Sequence, residues 1–195
     1  MTRRRLTRGY TVVELMMALA VFAGGVTGVI AMQRTVIVAN RHARNMTVAN
    51  GIAQAWLDQL EVDATLWRTN LDQTVWLKSI NVAGVAGNWT LPAQSAAAAR
   101  NFGPTFNVFG ASDPAATDYC VHIRLTWLYP DENGGGRAGT GSIRTDVRVF
   151  WLRDNGARVT GDCTSAAAAT VTDVGNDTND SYFFIYQTGA VAQRP

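Results

Sequence analysis

Glu14 is the one side chain charged at neutral pH between Tyr10 and Met32, in the run YTVVELMMALAVFAGGVTGVIAM. A carboxylate in hydrocarbon costs roughly 2.5–3.5 kcal/mol at mid-helix and less near a helix end, so one found there is a functional suspect by default. Cys120 and Cys163 are the two cysteines of the chain. In an oxidising compartment such a pair most simply forms one disulfide. The alternative is a free-thiol catalyst, which has no Cys-x-x-Cys spacing to support it. The run from Asp173 to Asp180 (DVGNDTND) offers Asp173, Asn176, Asp177, Asn179 and Asp180. These are the oxygen ligands that Ca²⁺ prefers, but EF-hand spacing and the closing glutamate are missing. A polar turn rich in Asx residues is the better reading. His42 and His122 lie far apart on elements of different kinds, and His122 reads as a structural or exposed strand residue. No phosphate loop, metal-ligand cluster or nucleophile motif is present, so the expectation is no enzyme activity, no cofactor and no metal.

The elements that place these groups follow from patterning. Arg3, Arg4, Arg5 and Arg8 precede the apolar run, which is 23 residues long. At 1.5 Å per residue that is enough to span a bilayer, and the arginines would stay on the cytoplasmic side. A secretory signal peptide would have a shorter apolar core and a small-x-small cleavage site beyond it. A plain signal anchor explains the arginines and the run but not Glu14. Beyond the run, Ala49, Ile52, Ala53, Trp56, Leu57 and Leu60 recur at helical spacing, while Asn50, Gln54, Asp58, Gln59 and Glu61 occupy the other faces. One helix from Tyr10 to about Leu60 would be roughly 75 Å long, apolar all round in its first half and amphipathic in its second. Arg34, Arg41 and Arg44 fall on one side of it and suit lipid headgroups or water.

Residues 63–103 connect the helix to a sheet. Leu71–Ile80 suits a short helix or strand, and Trp67, Trp76 and Trp89 are expected in the core. The alanine runs SAAAAR at 95–100 and SAAAAT at 165–170 are too short to be a repeat architecture. Tyr119, Val121, Ile123, Leu125, Trp127 and Tyr129 alternate with more polar residues, which is strand periodicity with one apolar face. Ile143, Val147, Val149 and Trp151 repeat it. Pro130–Gly141 (PDENGGGRAGTG) between them reads as a hairpin turn, Asp154–Gly156 as another turn, and Tyr182–Tyr186 as a third strand or aromatic edge. The fold class is α+β, with a helix laid on one face of an antiparallel sheet.

The N-terminus resembles that of type IV prepilins, and among them the PilV-like minor pilins. Gly9 matches the glycine after which prepilin peptidase cuts. Tyr10 matches the first mature residue, which is N-methylated in that family. Glu14 matches the glutamate at the fifth mature position. Gly24, Gly25, Gly28 and Gln33 follow the glycine-interrupted helix of PilV-like proteins, with small residues near Ala31 where major pilins often have a proline. The similarity is close over about the first sixty residues. It implies a leader at 1–9, a transmembrane or filament-core half-helix at 10–33, an amphipathic half at 34–62 and a periplasmic globular domain at 63–195. It implies too that Glu14 meets the freed amine of a neighbouring subunit. An α-amine titrates near 7.7–8.0 and is largely cationic at neutral pH, and pairing relieves a carboxylate in a water-poor core. A Glu14 paired within its own chain is the plainer alternative.

Of 17 basic residues four lie in the leader, leaving 13 against 15 acidic ones and a charge of about −2. That balance makes no case for nucleic-acid binding. With 47% hydrophobic and 16% charged residues, the chain can bury one domain of ordinary size on a stalk. The resemblance implies a structural subunit, made in the inner membrane with its C-terminal domain periplasmic and later found in a surface pilus. Its implied partners are prepilin peptidase, the inner-membrane assembly machinery, other minor pilins, the major pilin and an adhesin at the tip where one exists. A minor pseudopilin of type II secretion shares every N-terminal feature. A tip ligand-binding module using the aromatic strands and the Asx run is a reading of a different class.

Overall fold

Thr11 starts the first element. In the computed structural model, which describes residues 9–82, 85–95, 102–129, 141–153, 163, 174 and 182–193, its Oγ1 accepts the Glu14 N–H at 3.3 Å. Its carbonyl accepts the Leu15 N–H at 3.2 Å. Thr-x-x-Glu is the sequence of a capping box, so the helix has a built start. Helix α1 then runs over Val12–Ala64, 53 residues without a proline. It closes with bonds of i to i+3 type, from Thr65 N–H to Val62, Leu66 N–H to Asp63 and Trp67 N–H to Ala64. These tighten the last turn and satisfy carbonyls that would otherwise be orphaned. The helix thus ends two residues beyond the expected 62.

The chain divides into two compact units, residues 1–45 and 46–195. In the described part of the first, the apolar side chains are exposed, including Val12, Leu15, Met16, Leu19, Val21 and Phe22. In the second, residues 46–64 of α1 bury Ala49, Ile52, Ala53, Trp56, Leu60 and Ala64 along one stripe. The stripe predicted for this helix is the buried one, although Leu57 is only half-buried.

A five-stranded antiparallel sheet completes the second unit. Its strands are β1 (Trp89–Thr90), β2 (Thr105–Phe106), β3 (Tyr119–Trp127), β4 (Ser142–Leu152) and β5 (Tyr182–Ala192). The order is β1-β3-β4-β5, with β2 also pairing with β3. Both short strands lie along β3, β1 against Arg124 and Ile123 and β2 against Cys120 and Tyr119. Val121, Ile123 and Leu125 of β3 and Ile143, Val147, Val149 and Trp151 of β4 join the buried stripe of α1 in one core. Trp67, Leu71, Leu77, Ile80 and Phe106 close it. The architecture is therefore α+β, a long N-terminal helix packed on an antiparallel sheet, as the patterning required. At Gly141, a Cβ would lie 2.5 Å from the Trp67 ring, so only glycine lets this indole pack at the start of β4.

Several details differ from the expectation. The segment Leu71–Ile80 holds a short 3-10 turn, Leu77–Asn81. β3 stops at Trp127, and β5 continues past Tyr186 to Ala192. Trp89 is half-buried and lies outside the main core, because its ring is laid over two guanidinium groups on the other face of the sheet. β3 is not apolar on one face only, since Cys120 and His122 are as buried as Val121. A second cluster of Cys120, Phe150, Cys163 and Val174, flanked by Leu152 and Tyr182, covers that end of the outer face. Arg3, Arg4, Arg5 and Arg8, Pro130–Thr140, the turn expected at Asp154–Gly156, most of both alanine runs and the ligand candidates Asp173, Asn176, Asp177, Asn179 and Asp180 lie outside the described residues.

Candidate functional site

Gly9 and Tyr10 precede the helix and are exposed, Tyr10 by 87%. Nothing approaches within 4 Å of where a Gly9 Cβ would stand. The chain's own packing therefore makes no demand for glycine here. The same holds for Gly24, Gly25 and Gly28, although each costs roughly 1 kcal/mol relative to alanine in a helix interior. Along the same stretch Phe22, Gly25, Val26, Val29, Ile30 and Gln33 line a shallow apolar groove. Thr27 and Thr35 turn their hydroxyls inward to donate to the carbonyls of Ala23 and Ala31. Apart from Glu14, the stretch up to Gln33 thus presents almost no polar side chain outward, and α1 is long and apolar enough to cross a membrane. Glu14 sits in the first turn, exposed, where its backbone is already held by Thr11. A carboxylate at that end is favoured by the helix dipole.

Cys120 and Cys163 are joined as a disulfide with their Cα atoms 5.7 Å apart. The bridge ties β3 to the segment after β4, closing 43 residues. Both sulfurs are buried, which removes them from thiol chemistry.

The outer face of the sheet holds polar residues that the patterning did not single out. Opposite one another stand His122 and Arg148, then Arg124 and Asp146, then Thr126 and Arg144. Asp146 accepts from Arg124 Nε at 3.0 Å, Arg144 Nε at 2.9 Å and Thr188 Oγ1 at 2.7 Å. Burial works to raise its pKa, but the bonds from Thr188, Arg124 and Arg144 outweigh it and hold the carboxyl below its ordinary value. Arg148, 1% exposed, donates from Nη2 to His122 Nδ1 at 2.8 Å. A guanidinium only donates, so Nδ1 is unprotonated and accepts. Burial lowers the Arg148 pKa, and a hydrogen bond with Tyr186 works against that. The Trp89 ring lies 4.7 Å from the Arg124 guanidinium and 4.6 Å from that of Arg148. Such contacts are favourable cation–π geometry. His122 is wholly buried in this arrangement and is structural.

Asp63 is the other residue missed. It is 3% exposed, and its carboxylate accepts from the N–H groups of Val75 (2.6 Å), Trp76 (2.9 Å) and Leu77 (3.0 Å). It thereby fastens the last turn of α1 to the 3-10 turn. The signal was available: Asp63 continues the apolar stripe three residues after Leu60, at the helix end where the dipole disfavours an acid. Among the described residues no three His, Cys, Asp or Glu side chains are grouped to hold a metal.

Comparison of the chain with protein-family models, curated proteins and solved structures finds no match.

Proposed function

We propose that the chain is a PilV-like minor pilin, a structural subunit of a type IV pilus. It is made as a prepilin, cut after Gly9 and held in the inner membrane by the first half of α1, with the second unit in the periplasm. With other minor pilins and the major pilin it primes assembly and sits at or near the tip, serving piliation, twitching motility and adhesion. The observation that carries the reading is α1 itself. One capped, proline-free helix over Val12–Ala64 leaves its apolar side chains exposed early and buries a regular stripe late. A soluble core helix would bury the first part. Gly9 adds support, because the fold does not require a glycine there while a peptidase closing on the backbone would.

The test is the N-terminus of the processed protein by mass spectrometry. A mature chain beginning at Tyr10 is expected, with Gly9→Leu accumulating as uncut precursor. A start elsewhere overturns the assignment. Deletion of the gene should reduce pili and twitching. Loss of protein export with normal pili would assign the chain to type II secretion instead. Normal filaments with lost adhesion would assign it to ligand binding at the tip.

A further inference from the structure

Arg124 and Arg144 are pinned along one edge of each guanidinium and open along the other. Asp146 stands opposite Arg124 in the register and two residues along β4 from Arg144. Its Oδ2 accepts from Arg124 Nε at 3.0 Å and lies 2.9 Å from Nη2 of the same group. Its Oδ1 accepts from Arg144 Nε at 2.9 Å and from Thr188 Oγ1 at 2.7 Å. A guanidinium presents its N–H donors in a fixed fork. Among the described residues Arg144 makes no further bond, so both its Nη groups stay open, as does Nη1 of Arg124. The side chains of Arg124 and Arg144 are 34% and 48% exposed, that of Asp146 only 5%. The carboxylate is thus fully engaged below the surface, and the cations are what the face presents.

Preorganisation and charge both favour an anion here. A surface arginine gives up rotamer freedom when it grips a ligand, and groups already fixed give up less. Arg124 is fixed by Asp146 and by the Trp89 ring 4.7 Å away. Among the described residues, the outer ends of β3, β4 and β5 carry three guanidiniums, those of Arg124, Arg144 and Arg148, against the one carboxylate of Asp146. Such forks match a planar carboxylate. The neighbours indicate what that carboxylate is attached to. Thr126 stands opposite Arg144, and its hydroxyl makes no bond among the described residues. On the β5 side Asp146 and Arg144 are flanked by Thr188 and Ala190, both small and exposed, so the forks are open from that direction. Beside them the rings of Phe184, Tyr186 and Trp89 form a row, with centroids 5.2 and 5.7 Å apart. Phe184 and Tyr186 are exposed and Trp89 is half-buried. A sugar ring has an edge of hydroxyls and a face of C–H groups that lies against aromatic rings, and an acidic sugar adds the carboxylate. A polynucleotide needs a longer track of cations than these, and the whole chain nearly balances acid and base. An acidic peptide has the carboxylate but no hydroxyl edge for Thr126.

We infer that the outer face of the sheet around Arg124 and Arg144 is a binding site for an acidic saccharide. Its carboxylate is held by the open Nη groups, and its C–H face lies against the aromatic row. The site uses residues of the second unit alone and does not depend on the pilin reading.

The test passes trigalacturonate and sialyllactose over the immobilised full-length chain in detergent and reads binding by surface plasmon resonance. Saturable binding of at least one acid is expected. Its uncharged counterpart, the methyl ester of trigalacturonate or plain lactose, should bind about tenfold more weakly or not at all. Arg144→Gln leaves Asp146 its bonds from Arg124 and Thr188 and should weaken binding by about tenfold or more. Arg144→Lys keeps the charge but loses the fork, so it should not recover the loss. Trp89→Leu should weaken binding too, by removing a ring and loosening Arg124. Thermal midpoints show whether each variant keeps its fold, and Arg144→Gln, a change at an exposed side chain, decides if Trp89→Leu does not. Absence of saturable binding by both acids, unchanged binding by Arg144→Gln, or recovery by Arg144→Lys would overturn the proposal. So would full displacement by inorganic phosphate at equal concentration, which marks an adventitious ion only. Tighter binding of triglutamate or of an oligothymidylate would overturn it in favour of an acidic peptide or a nucleic acid.

Discussion

Asp146 and Asp63 are both buried acids, and they are satisfied in opposite ways. Asp146 is held by two arginines and a threonine, Asp63 by three backbone N–H groups. Because the bonds from Thr188, Arg124 and Arg144 hold the folded Asp146 carboxyl below its ordinary value, its contribution to stability is present above the unfolded value. It is lost as pH falls below about 4 through the folded value. Asp146→Asn should lower stability at neutral pH by about 1–2 kcal/mol, a modest figure because Arg124 and Arg144 are partly exposed. The loss should shrink toward zero in acid, read from urea midpoints of wild type and variant between neutral pH and pH 3. Asp63→Ala should cost more, about 3 kcal/mol, because three N–H groups lose their acceptor in a buried place. Thermal unfolding measures it, and an unchanged midpoint would show that water replaces the carboxylate. Asp63 was readable as an anomaly in the apolar stripe. The Asp146 group was not, because Arg124 and Thr188 come from the two neighbouring strands and only strand register brings them to the Arg144–Asp146 pair of β4.

At the scale of elements, periodicity did most of the work. The stripe of α1 and the alternation in β3 and β4 identify the core faces, because burial on one side of a regular element forces its own period on the residues. The same logic failed where both sides are covered. Cys120, His122, Arg148 and Phe150 look like an outward face in sequence, yet Cys163, Val174 and Trp89 are packed over them. The disulfide is the covalent part of that cover. In the chain-entropy picture a loop of 43 residues contributes about 4 kcal/mol. Cys163→Ser should therefore destabilise the second unit by roughly that amount and expose Phe150 and Tyr182. Denaturant midpoints and protease sensitivity of the full-length protein report it. If the variant behaves as wild type, the second cluster holds without its bridge.

Across the whole molecule, the proposed function predicts that folding and assembly separate. Glu14 lies in the first unit, and it is not among the residues that build the core of the second. Glu14→Ala should leave insertion unimpaired, since removing a charge from an apolar helix eases entry into the bilayer. It should also leave the Cys120–Cys163 disulfide formed, while on the proposed pilin reading loss of the counter-charge for a neighbouring amine should prevent incorporation into sheared pili. Processed protein in membranes and subunit in pili are the two quantities to compare. Equal incorporation would place the role of Glu14 in capping its own helix. The apolar run, the helical stripe, the strand alternation and the two cysteines are local patterns, and each carries its structural meaning in residue spacing alone. That is why the α+β class, the long helix and the bridge could be read directly. The pairing of β1 and β2 along β3, the burial of His122 against Arg148, the donors around Asp146 and the place of β5 beside β4 depend on which strands come together and in what register. Those are set by contacts between residues far apart in the chain, where burial and hydrogen bonding on both faces are balanced at once.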